Sequence, residues 1–472
     1  MCPVGPSIDR LRGHSYKIIT SGTVRGAYYF ALLFAACVAP AQAAEYTRDQ
    51  APAPESVEEL DGPIVLGFPE EEPPSTALLG SLKDYLKIAP PFLSDLTLDV
   101  NFRTYDFYGA NGDKVPSAIE KNEAWAGGGS INLESGLLWD AISVGGEYFA
   151  SLPISAPDSR PGTGLLKPIQ NSIFVLGQAY VRATLGEQVI TLGQQRYDLP
   201  YLNGNDSRMI PNTFEGYSID GRWSHGRFVI GYVDEIKPRA SDDFIPMSRA
   251  LGVTDADKGL VMAGVRYDWE NNFVGAIASV VPDVLSTVYS ELDTRWSYGD
   301  LGFRLGMQFT DQRSIGDDLL TSESFDTQSF GARFAVSLNS AILTTAFTYN
   351  SDGARIRTPF GGDPSFSSLM LSNFNLANQK TFRVGLSYNG NRIGFPWLSG
   401  FLNYARGVDS EIAGAGISLP DDEEIDLTID FRGPSSPGQN IWLRVRGGVL
   451  NPGEDRRIYN VRVIFNWAIP VL

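Results

Sequence analysis

Arg444 and Arg446 stand on either side of Val445, with Leu443 before them. In an extended segment both guanidiniums fall on one face and the apolar side chains on the other. A guanidinium is a planar fork that grips a carboxylate through two parallel N–H···O bonds and keeps its charge at any working pH. The same placement, arginine opposite an alternating apolar set, recurs at Arg103, Arg182, Arg266, Arg304, Arg333, Arg383 and Arg462. Such a set suits a basic ladder that passes a carboxylate from one arginine to the next. It is equally consistent with each arginine being paired to an Asp or Glu on a facing wall, and the sequence leaves both open.

A second candidate is the stretch Tyr197 to Thr213, about seventeen residues without periodicity, stiffened by Pro200 and Pro211 and carrying Asp206 and Arg208. Loops of that length are usually functional or disordered. Arg208 suits two roles, recognising an anion or pinning the loop to a neighbouring wall.

Catalytic chemistry finds little support. His14 lies in a leader segment, so His225, in a short turn, is the only histidine left afterwards. That excludes a His-based triad and a multi-His metal site. There is no Walker motif, and Gly127-Gly-Gly129 inside a strand reads as close backbone approach or curvature rather than a phosphate cradle. No spacing singles out a pair of carboxylates for glycosidic chemistry. No cofactor and no metal are expected.

The elements that must position these residues read as strands. Leu96, Leu98, Val100 and Phe102 alternate with Thr97, Asp99, Asn101 and Arg103, the signature of a half-buried strand. Eighteen such segments follow one another, near 95–105, 122–134, 140–150, 172–185, 187–196, 214–223, 226–235, 259–270, 272–281, 285–298, 300–312, 326–339, 341–351, 378–389, 393–406, 423–432, 439–449 and 456–469. Tight turns at Glu187, Ser224-His225-Gly226, Glu270-Asn271-Asn272, Tyr298-Gly299-Asp300 and Asn339-Ser340 alternate with long polar links such as 151–171, 236–258 and 352–377. Short turns on one side and long loops on the other, with one apolar face per strand, predict an all-β chain: an 18-stranded antiparallel transmembrane β-barrel with short periplasmic turns and long extracellular loops. Closure satisfies every backbone group in lipid and leaves no free edge. In the last strand Tyr459, Val461, Val463, Phe465 and Trp467 share the lipid-facing side.

Residues 1–43 read as an export signal. Arg10, Arg12, Lys17 and Arg25 precede the apolar run Ala27 to Ala39, and Ala41-Gln42-Ala43 fits a cleavage site. Cys37 after Phe34-Ala35-Ala36 offers a lipoprotein alternative. Cleavage after Ala43 removes both cysteines and leaves 34 Lys+Arg against 54 Asp+Glu, a net charge of −20. A chain this acidic has no general affinity for nucleic acid. Residues 44–91 form an acidic, Pro-rich lead-in with a possible short helix from Thr76 to Lys87 capped by Ser75, and 92–472 form the barrel.

Several segments resemble the OprD family of outer-membrane porins. Phe92-Leu-Ser-Asp-Leu-Thr-Leu-Asp-Val-Asn-Phe-Arg-Thr-Tyr-Asp-Phe107 resembles that family's first strand. Asn205-Asp-Ser-Arg-Met-Ile-Pro-Asn-Thr-Phe-Glu-Gly216 is similar to its Asp-Ser-Arg-x-x-Pro-x-x-Phe-x-Gly segment. Ser329-Phe-Gly-Ala-Arg-Phe334, Arg392-Ile-Gly-Phe-Pro-Trp-Leu398 and Tyr404-Ala-Arg-Gly407 add to the likeness, while the ending Ile469-Pro-Val-Leu472 departs from it. The resemblance covers residue 92 to the end. It implies a pore in the outer membrane of a Gram-negative bacterium, narrowed by inward-folded loops and passing small solutes, many bearing a carboxylate. It also implies a patch of acids and hydroxyls facing the arginines, for which Asp198, Asp206 and Ser207 are the candidates. The expected partners are outer-membrane lipid and small carboxylate-bearing solutes, with the barrel a monomer or a loose trimer. A non-conducting barrel acting as adhesin or receptor, and a secreted carbohydrate-active β protein, are the alternatives.

Overall fold

The computed structural model describes residues 78–111, 121–321, 323–433, 440–453 and 456–472. The export signal and most of the acidic lead-in, including Ser75, lie outside the described residues. Eighteen long strands run in chain order: β1 (Thr97–Asn111), β2 (Lys121–Glu134), β3 (Ile142–Ser155), β4 (Ile173–Leu185), β5 (Gln188–Gln195), β6 (Thr213–Trp223), β7 (Gly226–Lys237), β8 (Leu260–Trp269), β9 (Asn272–Val281), β10 (Leu285–Tyr298), β11 (Leu301–Arg313), β12 (Asp326–Leu338), β13 (Ala341–Asn350), β14 (Lys380–Asn389), β15 (Leu398–Val408), β16 (Asp422–Arg432), β17 (Asn440–Asn451) and β18 (Ile458–Pro470). Each pairs antiparallel with the next, and β18 returns to β1 from Asp99↔Pro470 to Asn111↔Ile458. The sheet is a closed 18-stranded barrel.

The alternation seen in the sequence fixes which side of each strand meets lipid. On β14, Phe382, Val384 and Leu386 are 57%, 49% and 50% exposed, and Arg383 between them turns inward. An exposed apolar band of this kind is a lipid-facing surface. Near the short turns the outward aromatics gather, with Trp296 stacked on Phe303, Trp397 on Phe431 and Tyr267 on Trp269. Tyr and Trp suit the level of the lipid headgroups.

The strands differ from expectation mainly at their ends. β1 continues past 105 to Asn111 and β3 past 150 to Ser155. The strand expected from 393 starts instead at Leu398, because Gly390–Ile393 forms a 3-10 turn capped by the Asn389 side chain and ended by Gly394 at φ 83°. The alternation of short and long links is not strict: Pro282 to Val284 joins β9 to β10 in three residues at the long-loop end. Gly129 has φ 140°, and a Cβ there would lie 1.8 Å from the Asn101 carbonyl oxygen, so the Gly127–Gly129 run is a close backbone approach. A short helix, Gly80–Leu86, lies beside the end of the chain, where Leu78 N–H donates to the Pro470 carbonyl at 2.8 Å.

The apolar core sits inside the barrel. Tyr197, Leu199 and Leu202 from the link after β5 pack with Phe214, Val229, Met262 and Ile277 of the wall and with Phe360 of the link after β13. Two loops therefore fold into the lumen and bury their own side chains against its inner surface.

Candidate functional site

The first inward loop, 196–212, is shaped by a miniature ribbon in which Asp198–Leu199 pairs with Leu202–Asn203 around Tyr201 at φ 62°. It reaches across the lumen: the Tyr201 hydroxyl lies 2.9 Å from Thr310 Oγ1 on β11. The second inward loop, 352–377, meets it there. Asn203 N–H donates to the Phe360 carbonyl at 3.2 Å, and Gly362 N–H donates to Asn203 Oδ1 at 2.8 Å.

That second loop is held by a column of acids on the inner face of β16. The Glu424 carboxylate accepts from Leu371 N–H at 2.8 Å and Ser372 N–H at 2.7 Å, and Asp426 accepts from Met370 N–H at 3.3 Å. Asp422, Asp426 and Asp430 share the face with Glu424, all nine-tenths or more buried. Sequence reasoning missed this column, although its period-two spacing is as plain as that of the arginines. Within the loop, Asp363 accepts from Ser365 N–H at 2.9 Å, and burial pushes its carboxyl up to about 7.

The first loop is pinned by Arg103. Its guanidinium forms a two-pronged pair with Asp206 at 2.6 and 3.0 Å, donates to the Arg208 carbonyl at 2.7 Å, and donates from Nε to Asn466 Oδ1 at 2.6 Å. Burial alone would raise the Asp206 carboxyl, but the charge and hydrogen bonds of Arg103 outweigh it and hold the group below the usual range. Asp206 is thus engaged, and Ser207 is too: its Oγ donates to Asn205 Oδ1 and accepts from Arg239 Nη1. Asp198 is exposed at its surface, and the protein atoms around it displace enough water to raise its carboxyl.

Arg208 donates from Nε to the Thr163 carbonyl and from Nη1 to the Ser207 carbonyl, both at 2.8 Å, and lies over the Phe107 ring at 5.2 Å. Burial, then the like charges of Arg239 and Arg446, lower its pKa to about 10. Arg239 is lowered likewise, by burial and by Arg462. Arg239, in an aperiodic link, has no pattern from which its direction could be read, and Arg196, bound to the buried Glu147 at 2.9 Å, was likewise not anticipated.

The nine strand arginines all turn away from the lipid face, but to different partners. Arg182 is paired with Glu134 at 2.5 Å, and Arg266 with Asp268 at 2.6 Å while lying over Phe273. Arg304 and Arg333 share the fully buried Asp293 at 2.7 and 3.0 Å. Arg383 donates to Asn403 Oδ1 and to the Phe366 carbonyl, both at 2.9 Å. Arg444 forms a two-pronged pair with Asp430 at 2.6 and 2.8 Å and lies over the Trp442 ring. Arg446 donates to Thr428 Oγ1 at 3.0 Å. Arg462 donates to Asn460 Oδ1 at 2.7 Å and to the Met370 carbonyl at 3.3 Å, over the same Phe107 ring at 5.3 Å.

The structure therefore brings Arg446 and Arg462 together with Arg208 and Arg239. Among the described residues none of these four has a carboxylate within ion-pairing distance. Arg103 and Arg444 line a separate cavity of about 700 Å³ with Arg196, Glu147, Asp206 and Trp442, and none of those four arginines borders it. Among the described residues no group of three or more His, Cys, Asp or Glu could hold a metal ion.

A family model described as outer membrane porin, OprD family, matches residues 90–471. No curated protein matches the chain in sequence. Among solved structures, OccK9 (OpdG) of Pseudomonas aeruginosa superposes with a TM-score of 0.73 at 20% identity, covering 80% of this chain and 99% of that one. OpdK of Pseudomonas aeruginosa with vanillate gives 0.72 at 18% identity, covering 80% of this chain and 100% of that one. OccAB3 of Acinetobacter baumannii gives 0.73 at 14%, with coverage of 80% and 100%. At these identities the likeness is one of fold.

Proposed function

The chain belongs to the OprD family of outer-membrane porins, and from that premise we propose that it passes small carboxylate-bearing solutes through a loop-narrowed lumen. Porins are channels rather than enzymes, and the barrel places this one in the Gram-negative outer membrane. The observation that carries the carboxylate reading is the group Arg208, Arg239, Arg446 and Arg462, held by neutral oxygens where the two inward loops narrow the lumen. Preorganised guanidiniums without counterions favour an anion that arrives. The crystallised neighbour that carries vanillate, itself a carboxylate, accords with this.

In this reading the basic ladder is shorter than nine rungs. Arg103 and Arg444 border it as half-neutralised members, while Arg182, Arg266, Arg304 and Arg333 brace the wall through their acids. Arg383 steadies the second loop. Asp206 and Ser207 act as fasteners of the first loop, and Asp198 remains the candidate acid facing the solute. The leader of residues 1–43 exports the chain. Because one chain closes its own barrel, each copy carries a pore whether the protein is a monomer or a loose trimer.

The net acidity of the chain argues for cation preference. Charges beyond about 8–10 Å are screened, however, and a narrow constriction weighs nearby groups most. Reconstitution into planar bilayers tests the reading: stepwise conductance is expected, with a carboxylate solute blocking it more strongly than a neutral solute of equal size. Equal block by the two would remove the carboxylate preference. No conductance from correctly assembled protein would favour a closed receptor-like barrel.

A further inference from the structure

The four guanidiniums that have no carboxylate partner among the described residues form two pairs built by independent elements. Arg446 and Arg462 sit directly opposite each other in the β17–β18 register. Arg208 and Arg239 come from two different loops and both hydrogen-bond to Ser207, one to its carbonyl and one to its hydroxyl. One member of each pair, Arg208 and Arg462, lies over the Phe107 ring, at 5.2 and 5.3 Å from its centroid. The wall pair and the loop pair therefore flank one aromatic side chain. The acids around them are already engaged, Asp206 by Arg103, Asp430 by Arg444, and Asp426 and Glu424 by backbone N–H groups of the second loop.

Resting on the carboxylate reading above, we infer that the constriction selects a two-ended dianion, a short dicarboxylate with one carboxylate on Arg446 and Arg462 and the other on Arg208 and Arg239. A monocarboxylate engages one pair and leaves the like charges of the other uncompensated. A dicarboxylate answers both, and its second contact is intramolecular, so it forms at high effective concentration. A compact dianion places both charges at one point and serves a single pair. Arg239 is thereby a specificity-determining residue, since the loop pair depends on it.

The test is block of single-channel current in potassium chloride at neutral pH by succinate, butyrate, inorganic phosphate and butane-1,4-diol. Succinate is expected to bind at least about tenfold more tightly than butyrate, the worth of one further charge-assisted contact, with phosphate no better than butyrate. The double variants Arg446→Gln with Arg462→Gln, and Arg208→Gln with Arg239→Gln, should each bring succinate to within about threefold of butyrate. Both should still give stepwise conductance and the heat-dependent gel shift of an assembled barrel. Succinate equal to butyrate, with both better than the diol, overturns the dianion inference and leaves the carboxylate reading intact. Phosphate equal to succinate overturns the two-ended arrangement. Block by the anions no stronger than by the diol overturns the carboxylate reading itself. Loss of succinate preference in the wall variant alone removes the loop pair from the site.

Discussion

Arg446 and Arg462 face each other as direct cross-strand partners inside the barrel, with no acid between them. Opposed like charges destabilise a strand pair by about 0.2–1 kcal/mol, so this pairing costs the wall stability. Changing Arg462 to Gln is expected to raise the urea midpoint of the assembled barrel while weakening block by carboxylates. A fall in the midpoint, read by loss of the heat-dependent gel shift, would make the arginine a structural brace through Asn460 and Met370.

The second loop hangs on Glu424. Its two oxygens take two successive backbone N–H groups, and each such hydrogen bond contributes about 0.5–1.5 kcal/mol. Glu424→Ala should free segment 352–377, seen as faster protease cleavage there and a larger, noisier single-channel current. Unchanged current and cleavage would mean that Arg383, Asn203 and Asn350, whose Nδ2 donates to the Phe374 and Leu376 carbonyls, hold the loop without it.

Asp363 makes that loop sensitive to pH. Its carboxyl is raised to about 7 in the fold from an ordinary value of 3.8. The folded state therefore binds more protons than the released one between those values. Loop closure is firmest below pH 4, weakens as pH rises through 7, and is flat above. Current noise should grow over that window, and Asp363→Asn should abolish the change. The same rise in the variant would assign the titration elsewhere.

Arg103 and Asp206 form the pin of the first loop. The acid is 45% exposed to lumen water, so screening reduces the pair to about 1 kcal/mol. The further bonds of Arg103 to the Arg208 carbonyl and to Asn466 make the arginine side the costlier one to lose. Arg103→Ala should therefore raise conductance more than Asp206→Ala does. The reverse order, measured in matched bilayers, would make Asp206 the principal fastener.

The strands were legible because lipid on one side and water on the other impose a period of two on every crossing. Their number and order follow from that period together with the links between them. The ends were less so: β1 and β3 run on to Asn111 and Ser155, and in β3 Leu152 and Ile154 continue the outward apolar set through a stretch that Pro153 and the flanking serines make look like a loop. For the arginines, direction was readable and partnership was not. Arg304 and Arg333 share Asp293 across neighbouring strands, while Arg208 meets the carbonyl of Thr163 in a different loop. No local spacing encodes such contacts. Arg239 stayed hidden because an aperiodic loop has no faces.

The contacts of Arg103 also tie the pore's narrowing to the barrel's seam. It sits on the first strand, bonds Asn466 on the last, and grips Asp206 in a loop 103 positions along the chain. Its bond to Asn466 exists only when β1 and β18 have met, so the pin acquires its full set of partners at the moment the seam shuts. A barrel still open between its first and last strands would be both unzipped and wide. Full fastening of the first loop and closure of the sheet thus share one residue.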